Sequence, residues 1–371
     1  MARPSLTLRS SAAWFAGRRA EVRLAVRVAV AGVAAYALAS FLGLAQGYWA
    51  VFTAVIVMQG SVGGSLKATL DRLVGTLGGA VVGGGVALLM ARDGPLSLAG
   101  GLAIALLPLG FLAAIDARFR VAPVTAVIVL ISPFGQQANP LAFTFDRITE
   151  IALGSVVALA VSLLVLPARA HNLLADSTAK LLGLSAEFLV LVIGGLTNPI
   201  DGAGLRRLQV ATRRSLTGME TIVDEARRER AMRLTDDPDP EPILRTSQRI
   251  RADLILLARA AVESLPAPLA ARLGPRLVAI AVTGGAEFRA LAVAFATRTR
   301  PPTADALDVA LRAYRGEIAA LRQERGLSSL SGEAVGRIFA LGFGLDQLRE
   351  NLGDLADRAA EFARAPVTPS P

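Results

Sequence analysis

The sequence predicts an all-α membrane protein, with six transmembrane helices in two inverted three-helix repeats followed by a cytoplasmic helical bundle. The chain has 371 residues, of which 53% are hydrophobic and 19% are charged. Its mean hydropathy is +0.51, which is too apolar for an ordinary soluble protein of this length. Six apolar runs in the first half and an internal sequence repeat are the other two observations behind the prediction.

The charge distribution separates a membrane half from a polar half. Residues 1–170 contain 13 of the 39 Lys and Arg residues and 6 of the 30 Asp and Glu residues. Most of the net charge of +9 therefore lies in the first half, where membrane topology accounts for it. We do not expect nucleic acid as a partner.

The composition also excludes several kinds of chemistry. The chain has no cysteine and one histidine, which rules out disulfides, Fe–S clusters and zinc sites built from Cys and His. The sequence contains no phosphate-binding loop of the Gly-x-x-x-x-Gly-Lys-Ser/Thr type. No constellation of nucleophile, base and metal ligands stands out, so we expect no enzyme, no metal and no cofactor.

Six runs are candidates for membrane spans, each of which needs about 20 apolar residues to cross the hydrocarbon core. The second and fifth runs are short. The runs are Leu24–Leu44, Tyr48–Val62, Leu70–Met90, Leu96–Ile115, Val121–Phe134 and Ile148–Leu166. The predicted domains are a cytoplasmic tail (1–23), a transmembrane domain (24–167, repeats about 24–90 and 96–167), a cytoplasmic helical domain (168–363) and a disordered tail (364–371).

The basic residues predict the orientation of the spans. Cytoplasmic loops carry an excess of Lys and Arg. With the N-terminus in the cytoplasm, eleven of the 13 basic residues of this half lie on the cytoplasmic side, and only Arg92 and Arg147 do not. We expect a multi-pass protein of the cell (inner) membrane with both termini in the cytoplasm.

Two matches in the same order indicate an internal duplication. Thr53–Met58 (TAVIVM) matches Thr125–Leu130 (TAVIVL) at an offset of 72, and Thr69–Arg72 (TLDR) matches Thr144–Arg147 (TFDR) at an offset of 75. Because each unit has three spans, the second must enter the bilayer in the opposite orientation. Transporters are often built from such inverted repeats, with the substrate path beside short segments at corresponding positions. Here those segments are the second and fifth runs. They contain Thr53 and Thr125, which are candidate pathway residues.

Small residues recur at four-residue spacing on the third and sixth spans. They are Gly75, Gly79 and Gly83 on one, and Gly154 and Ala158 on the other. Such spacing lets helix backbones approach closely. We expect helix packing at these positions, and a permeation path along the same stripe is compatible with it.

Two arginines at equivalent positions are the candidate anion contacts. Arg72 and Arg147 share the inward faces of their helices with the small residues, and a guanidinium group stays charged and fits a carboxylate. Local pairing is the alternative, of Arg72 with Asp71 and of Arg147 with Glu150.

The nearby carboxylates have three candidate roles. Asp71 and Asp146 are predicted to cap the starts of their helices, and either could instead be an arginine partner or a proton-coupling group. Glu150 is the best candidate for proton coupling, although a salt bridge to Arg147 would keep it ionised. Tyr48 and Trp49 are predicted to anchor the second span at the interface, and His171 is predicted to have an interfacial or a packed role rather than a catalytic one.

Three stretches resemble a known family. They are Gly47–Thr53 (GYWAVFT), Asp71–Gly79 (DRLVGTLGG) and the exit Leu164–Pro167 (LVLP). Together they resemble the fusaric acid resistance (FUSC) and aromatic acid exporter family, which is related to plant aluminium-activated malate transporters, over about residues 20–170. The resemblance implies six membrane helices per subunit, a cytoplasmic helical domain and a homodimer. It also implies movement of organic anions past basic residues on the third and sixth helices, here Arg72 and Arg147, and in bacterial exporters a periplasmic adaptor protein.

The expected function is export of small organic anions, such as aromatic carboxylic acids, along a basic pathway between the repeats. An organic-anion channel of the malate-transporter type remains open as an alternative. So does a different class, a membrane-anchored helical scaffold. The expected partners are the anion, membrane lipid, a second copy of the chain and an adaptor.

The second half reads as helices separated by proline-containing breaks. Two series of apolar residues at alternating three and four spacing predict either a hairpin bundle within one subunit or a dimer seam. The series run from Ile250 to Leu265 and from Ile338 to Phe362. The apolar runs 181–196 and 277–295 contain charged residues, so we expect buried or membrane-apposed cytoplasmic helices rather than further spans.

Overall fold

The computed structural model describes residues 19–89, 94–131, 140–303, 305–324 and 331–364. These residues are almost entirely helical and contain no strand. They form two compact units, one ending at Arg169 and the other beginning at Ala170. Most of the predicted N-terminal tail and nearly all of the predicted disordered tail lie outside the described residues, as do Arg92 and Pro133.

The described part of the first unit, called the membrane unit below, contains six α-helices in the order of the six predicted spans. A short 3-10 turn, Ala117–Phe119, precedes the fifth. The helices are α1 Arg19–Phe41, α2 Tyr48–Val57, α3 Val62–Leu89, α4 Pro95–Ile115, α5 Ala122–Ile131 and α6 Pro140–Leu164.

Two of the predicted spans are half-length helices. Helix α2 and the described helix α5 each have 10 residues, and ten residues rise only about 15 Å, half the thickness of the hydrocarbon core. Among the described helices of this unit, α1, α3, α4 and α6 are the ones long and apolar enough to cross a membrane. The prediction of full spans is wrong for α2, because the backbone leaves the helix at Met58 (ψ 116°).

Helices α3 and α6 begin about eight residues before the predicted starts. Ser61 caps α3, since its Oγ accepts a hydrogen bond from the Gly64 amide at 2.9 Å, so the glycines after Ser61 belong to the first turn of the helix. Asp71 and Asp146 consequently lie well inside their helices. The prediction that they cap helix starts is wrong.

The two long central helices pack against each other in antiparallel orientation. At one end the Val62 amide donates to the Ala168 carbonyl at 3.1 Å. At the other end a Cβ on Gly84 would lie 3.4 Å from Thr144 Oγ1. These two contacts set the register between α3 and α6.

Each short helix packs on the long central helix of the other repeat, α2 on α6 and α5 on α3. A Cβ on Gly79 of α3 would lie 2.2 Å from the Ala122 carbonyl oxygen, and a Cβ on Gly154 of α6 would lie 2.2 Å from the Ala50 carbonyl oxygen. Only glycine permits so close an approach. The remaining small residues are buried in the same unit: Gly75, Gly83 and Ala158.

The second unit, called the helical unit below, contains six helices around one hydrophobic core in the residues that the structure describes. The predicted proline-containing breaks coincide with the connections between its first five helices. The helices are α7 Ala170–Gly195, α8 Gly202–Ala231, α9 Glu241–Ala260, α10 Ala267–Thr297, α11 Asp305–Gln323 and α12 Gly332–Arg364.

The two predicted seams pack against each other within one chain. Helices α9 and α12 bury their apolar series from Ile250 and from Ile338. Asn351 of α12 also donates from Nδ2 to Asp253 Oδ2 of α9 at 2.7 Å. Of the two alternatives for the seams, the structure forms the intrasubunit bundle.

Helices α7 and α10 are also long and apolar enough to cross a membrane by length and composition. They pack closely on each other and contribute Phe188 and Phe288 to the core. Most of the exposed residues of α7 are polar, however, although Val190 is also exposed. The polar ones are Asn172, Asp176, Lys180 and Glu187.

Candidate functional site

Arg147 is buried in the interior of the membrane unit, with 1% of its surface exposed. Its Cζ lies 3.4 Å from the centroid of the Trp49 ring, and its Nη1 lies 3.6 Å from Glu150 Oε2. The ring face and the carboxylate both stabilise the guanidinium charge away from water. For Arg147, the structure forms the local pair with Glu150.

The same network ties the α1–α2 connection to α6. Glu150 Oε1 accepts a hydrogen bond from the Gln46 amide at 3.0 Å. Gln46 Oε1 in turn accepts from Trp49 Nε1 and from the Tyr48 hydroxyl, each at 3.2 Å. Trp49 is therefore a partner of the buried arginine, whereas the sequence predicted an interfacial anchor.

Arg72 has a different environment on α3. It is partly buried, and its Nε is inaccessible and has no hydrogen-bond partner. Among the described residues no carboxylate lies within ion-pair distance of Arg72, because Asp71 pairs with Lys67 on the same helix. The alternative in which Arg72 pairs with Asp71 is wrong.

A family model described as fusaric acid resistance protein-like matches residues 33–161, which cover most of α1 to α6. The membrane unit belongs to this family. The resemblance drawn from the sequence is thereby confirmed, and the chain is a multi-pass membrane protein. No curated protein matches the chain.

The two repeats of this FUSC-like unit share backbone contacts but differ in chemistry. At the offset of 75, the position of Glu150 corresponds to Gly75, and at the offset of 72, Trp49 corresponds to Val121. Arg72 thus has neither a carboxylate nor an aromatic ring at the positions that correspond to Glu150 and Trp49. Arg72 and Arg147 are equivalent by position, yet only Arg147 has a local counter-charge.

The predicted pathway threonines lie where the short helices meet the long ones. A Cβ on Gly154 would be 2.9 Å from Thr53 Cβ, and a Cβ on Gly79 would be 2.7 Å from Thr125 Cβ. Both threonines are buried. Thr125 donates from Oγ1 to the Val121 carbonyl at 3.2 Å, whereas Thr53 Oγ1 has no partner among the described residues.

The predicted role of Asp146 as an arginine partner is not realised in the structure. Asp146 is exposed on α6 and forms no ion pair with a described residue.

The FUSC-like unit also contains a buried arginine, Arg27, that the sequence placed among the cytoplasmic arginines. Arg27 is fully buried in α1 and donates from Nη1 to the Gly60 carbonyl at 3.4 Å. Its place inside the first apolar run is the signal that could have identified it.

Outside the family match, His171 of the helical unit has the packed role, one of the two that the sequence predicted. Its ring is fully buried and lies against Phe362, with centroids 5.0 Å apart. Its Nε2 lies 2.8 Å from the Pro238 carbonyl oxygen. Within the described part of the chain, no cluster of three or more His, Asp or Glu side chains could hold a metal ion.

Proposed function

We propose that this protein transports small organic anions, such as aromatic carboxylic acids, across the cell membrane, in the direction of efflux. Membership in the fusaric acid resistance protein-like family supports transport. The observation that carries the proposal is Arg72, a partly buried cation that has no carboxylate partner among the described residues. A cation left without a counter-charge inside a membrane domain suits an anionic ligand.

Arg72 would bind the carboxylate of the anion. A guanidinium group stays protonated at physiological pH and offers two parallel N–H donors to a carboxylate. The apolar walls around it would accommodate a ring or an alkyl chain. Arg147 contributes positive potential, while Glu150 satisfies its charge.

We further propose that the two halves are inverted repeats and that the anion passes between them. Equivalent contacts support this arrangement, because Gly79 approaches Ala122 as closely as Gly154 approaches Ala50. The antiparallel packing of α3 and α6 also agrees with two units of opposite orientation.

The orientation that we propose places the N-terminus and the helical unit in the cytoplasm. The excess of basic residues on that side supports it, and the polar exposed residues of α7 are suited to water. The protein would then lie in the inner membrane. A homodimer and a periplasmic adaptor complete the proposal on the strength of the resemblance.

The experiment is anion flux in liposomes containing the purified protein. Benzoate and malate uptake are measured under a clamped membrane potential for the wild type and for Arg72→Ala. Loss of a charge-assisted contact is expected to lower flux about tenfold or more. Arg120→Ala, which removes an exposed arginine of the same unit, is the matched control and should transport normally. Unchanged flux in Arg72→Ala would show that the proposed pathway is wrong.

The same liposomes distinguish a carrier from a channel. Flux that requires a pH gradient indicates a proton-coupled carrier, and flux that follows the membrane potential alone indicates a channel. In the carrier, Glu150→Gln should abolish the dependence on the gradient, because the amide cannot exchange a proton. If Glu150→Gln remains fully gradient-dependent, Glu150 is not the coupling group.

A further inference from the structure

Four hydroxyl groups of the membrane unit are buried without a hydrogen-bond partner among the described residues. They are those of Thr69 and Thr76 on α3 and of Ser155 and Ser162 on α6. None of the four residues is more than 6% exposed. Buried polar groups are normally bonded, so an orphaned set calls for a physical explanation.

The antiparallel register places the four hydroxyls at two levels along α3 and α6. The contacts of Val62 with Ala168 and of Gly84 with Thr144 fix the antiparallel register. In that register Thr76 lies within one turn of Ser155, and Thr69 within one turn of Ser162. The two levels are about 10 Å apart along the helices.

Arg72 lies between these two levels. Thr69, Arg72 and Thr76 are spaced by three and four residues and therefore share one face of α3. Arg72 Nε is also buried without a partner. The face of α3 that carries Thr69 and Thr76 thus also carries a cation between them, and all three side chains have polar atoms without partners among the described residues.

Ordinary helix packing does not account for this arrangement. A threonine in a helix commonly bonds its hydroxyl to the carbonyl four residues earlier. In the same unit Thr125 bonds in this way to Val121 and Thr149 to Phe145, at 3.2 Å and 3.0 Å. Burial of the four hydroxyls without hydrogen bonds instead lowers the folding stability of the protein.

We propose that these hydroxyls and Arg72 form the binding track of the transported anion between α3 and α6. The hydroxyls donate hydrogen bonds to the carboxylate oxygens and replace their hydration water, while Arg72 balances the charge. Neutral donors at successive levels bind an anion without trapping it, as conduction requires. The inference rests on the proposed function and assigns the path to a particular helix interface.

The absence of cysteine in the chain allows a test that does not depend on transport. Thr76→Cys and Ser155→Cys each introduce a single thiol, and the reagent is a membrane-impermeant methanethiosulfonate that carries a sulfonate. We expect both thiols to react and benzoate to slow the reaction. Ala35→Cys, at a fully buried apolar position of α1, is the matched control and should stay unreactive. Reaction no faster than that of Ala35→Cys would overturn the proposal.

A second pair of variants separates binding from folding. Thr76→Val and Ser155→Ala should lower benzoate flux about threefold to tenfold, as expected for one neutral hydrogen bond. Their melting temperatures should be unchanged or higher, because an unbonded buried hydroxyl is removed. Thr149→Val, whose hydroxyl bonds its own helix on the exposed face, should leave flux unchanged. Normal flux in Thr76→Val and Ser155→Ala would show that the proposed binding track is wrong.

The two proposals can fail separately. Reactive thiols at positions 76 and 155 without any benzoate or malate flux would support the polar track and reject organic-anion transport. Flux that depends on Arg72 with unreactive thiols would support transport and place the path elsewhere.

Discussion

Arg147 and Arg72 show how equivalent residues acquire different roles from their surroundings. Both follow a Thr-x-Asp sequence on a long central helix. Arg147 lies on the Trp49 ring beside Glu150, whereas Arg72 has neither kind of neighbour in the described structure. A buried charge needs a counter-charge. Glu150 supplies it for Arg147, and in our proposal the transported anion supplies it for Arg72.

The ion pair between Arg147 and Glu150 leads to a prediction about stability. Glu150→Gln leaves the guanidinium buried without a counter-charge, and breaking a buried pair in this way costs about 3 kcal/mol or more. We expect a lower melting temperature in detergent. Arg147→Met combined with Glu150→Gln should recover part of the loss, since no unpaired charge then remains.

The matched control is Glu21→Gln, at an exposed glutamate near the start of α1. It should melt as the wild type does. If Glu150→Gln and Glu21→Gln had equal melting temperatures, the contact between Arg147 and Glu150 would contribute nothing to stability.

A pair in the helical unit predicts a pH dependence. Arg349 donates from Nε and Nη2 to both carboxylate oxygens of Asp308, at 2.6 Å and 2.9 Å, and these bonds lower the pKa of Asp308. A depressed pKa in the folded state means that the pair stabilises above the unfolded pKa of about 4. That contribution is lost as the pH falls through the folded pKa. Asp308→Asn should therefore lower the melting temperature at pH 7 and make no difference below the folded pKa.

The measurement is the melting temperature of wild type and Asp308→Asn between pH 7 and acid. A partly exposed pair contributes about 1 kcal/mol or less, so the difference at pH 7 is small but should close on acidification. A difference that is constant with pH would mean that the charge of Asp308 is not its cause.

At the scale of helices, the short α2 and α5 depend on glycines of the long helices. Gly79 and Gly154 occupy equivalent positions and make equivalent backbone contacts. This correspondence relates the sequence repeat to the packing of the helices. It also predicts that the two positions respond alike to substitution.

Gly79→Ala and Gly154→Ala should each destabilise the membrane unit by a similar amount. The added methyl would lie 2.2 Å from a carbonyl oxygen in both cases, so the short helix must move, at a typical cost of about 1–3 kcal/mol. Gly85→Ala is the control, because a Cβ there meets nothing within 4 Å. It should be neutral or stabilising by about 0.5–1 kcal/mol, since alanine favours the helix. Thermal unfolding in detergent measures the stability of all three variants. An unchanged melting temperature in Gly79→Ala would contradict the close approach of α5 to α3.

At the scale of the whole molecule, six of the described helices could cross a membrane by length and composition, four in the membrane unit and two in the helical unit. The assignment of α7 and α10 therefore decides the topology. The polar exposed residues of α7 and the dense packing of both helices in one core favour a helical unit that does not cross the bilayer.

Thiol labelling from each side of the membrane tests this assignment. Asp176→Cys and Gly194→Cys lie at opposite ends of α7 and are both exposed. We expect an impermeant reagent to modify both from the cytoplasmic side of oriented vesicles. Modification of the two thiols from opposite sides would show that α7 crosses the membrane.

The sequence by itself determined the family, the order of the helices and the breaks in the second half. These features are local, since hydropathy marks an apolar helix and proline interrupts one wherever it occurs. The repeat was visible for the same reason, as a match of consecutive letters. The short second and fifth runs were also evident, although the treatment of the second as a full span was not correct.

Only the tertiary structure decided which side chains meet. It placed the start of α3 at Val62, where Ser61 supplies a cap. It also brought Trp49 over an arginine 98 positions later in the chain and left Arg72 and four hydroxyls without partners among the described residues. Periodicity defines the face of a helix but not the helix that covers it, because the pairing of faces depends on packing between segments distant in sequence.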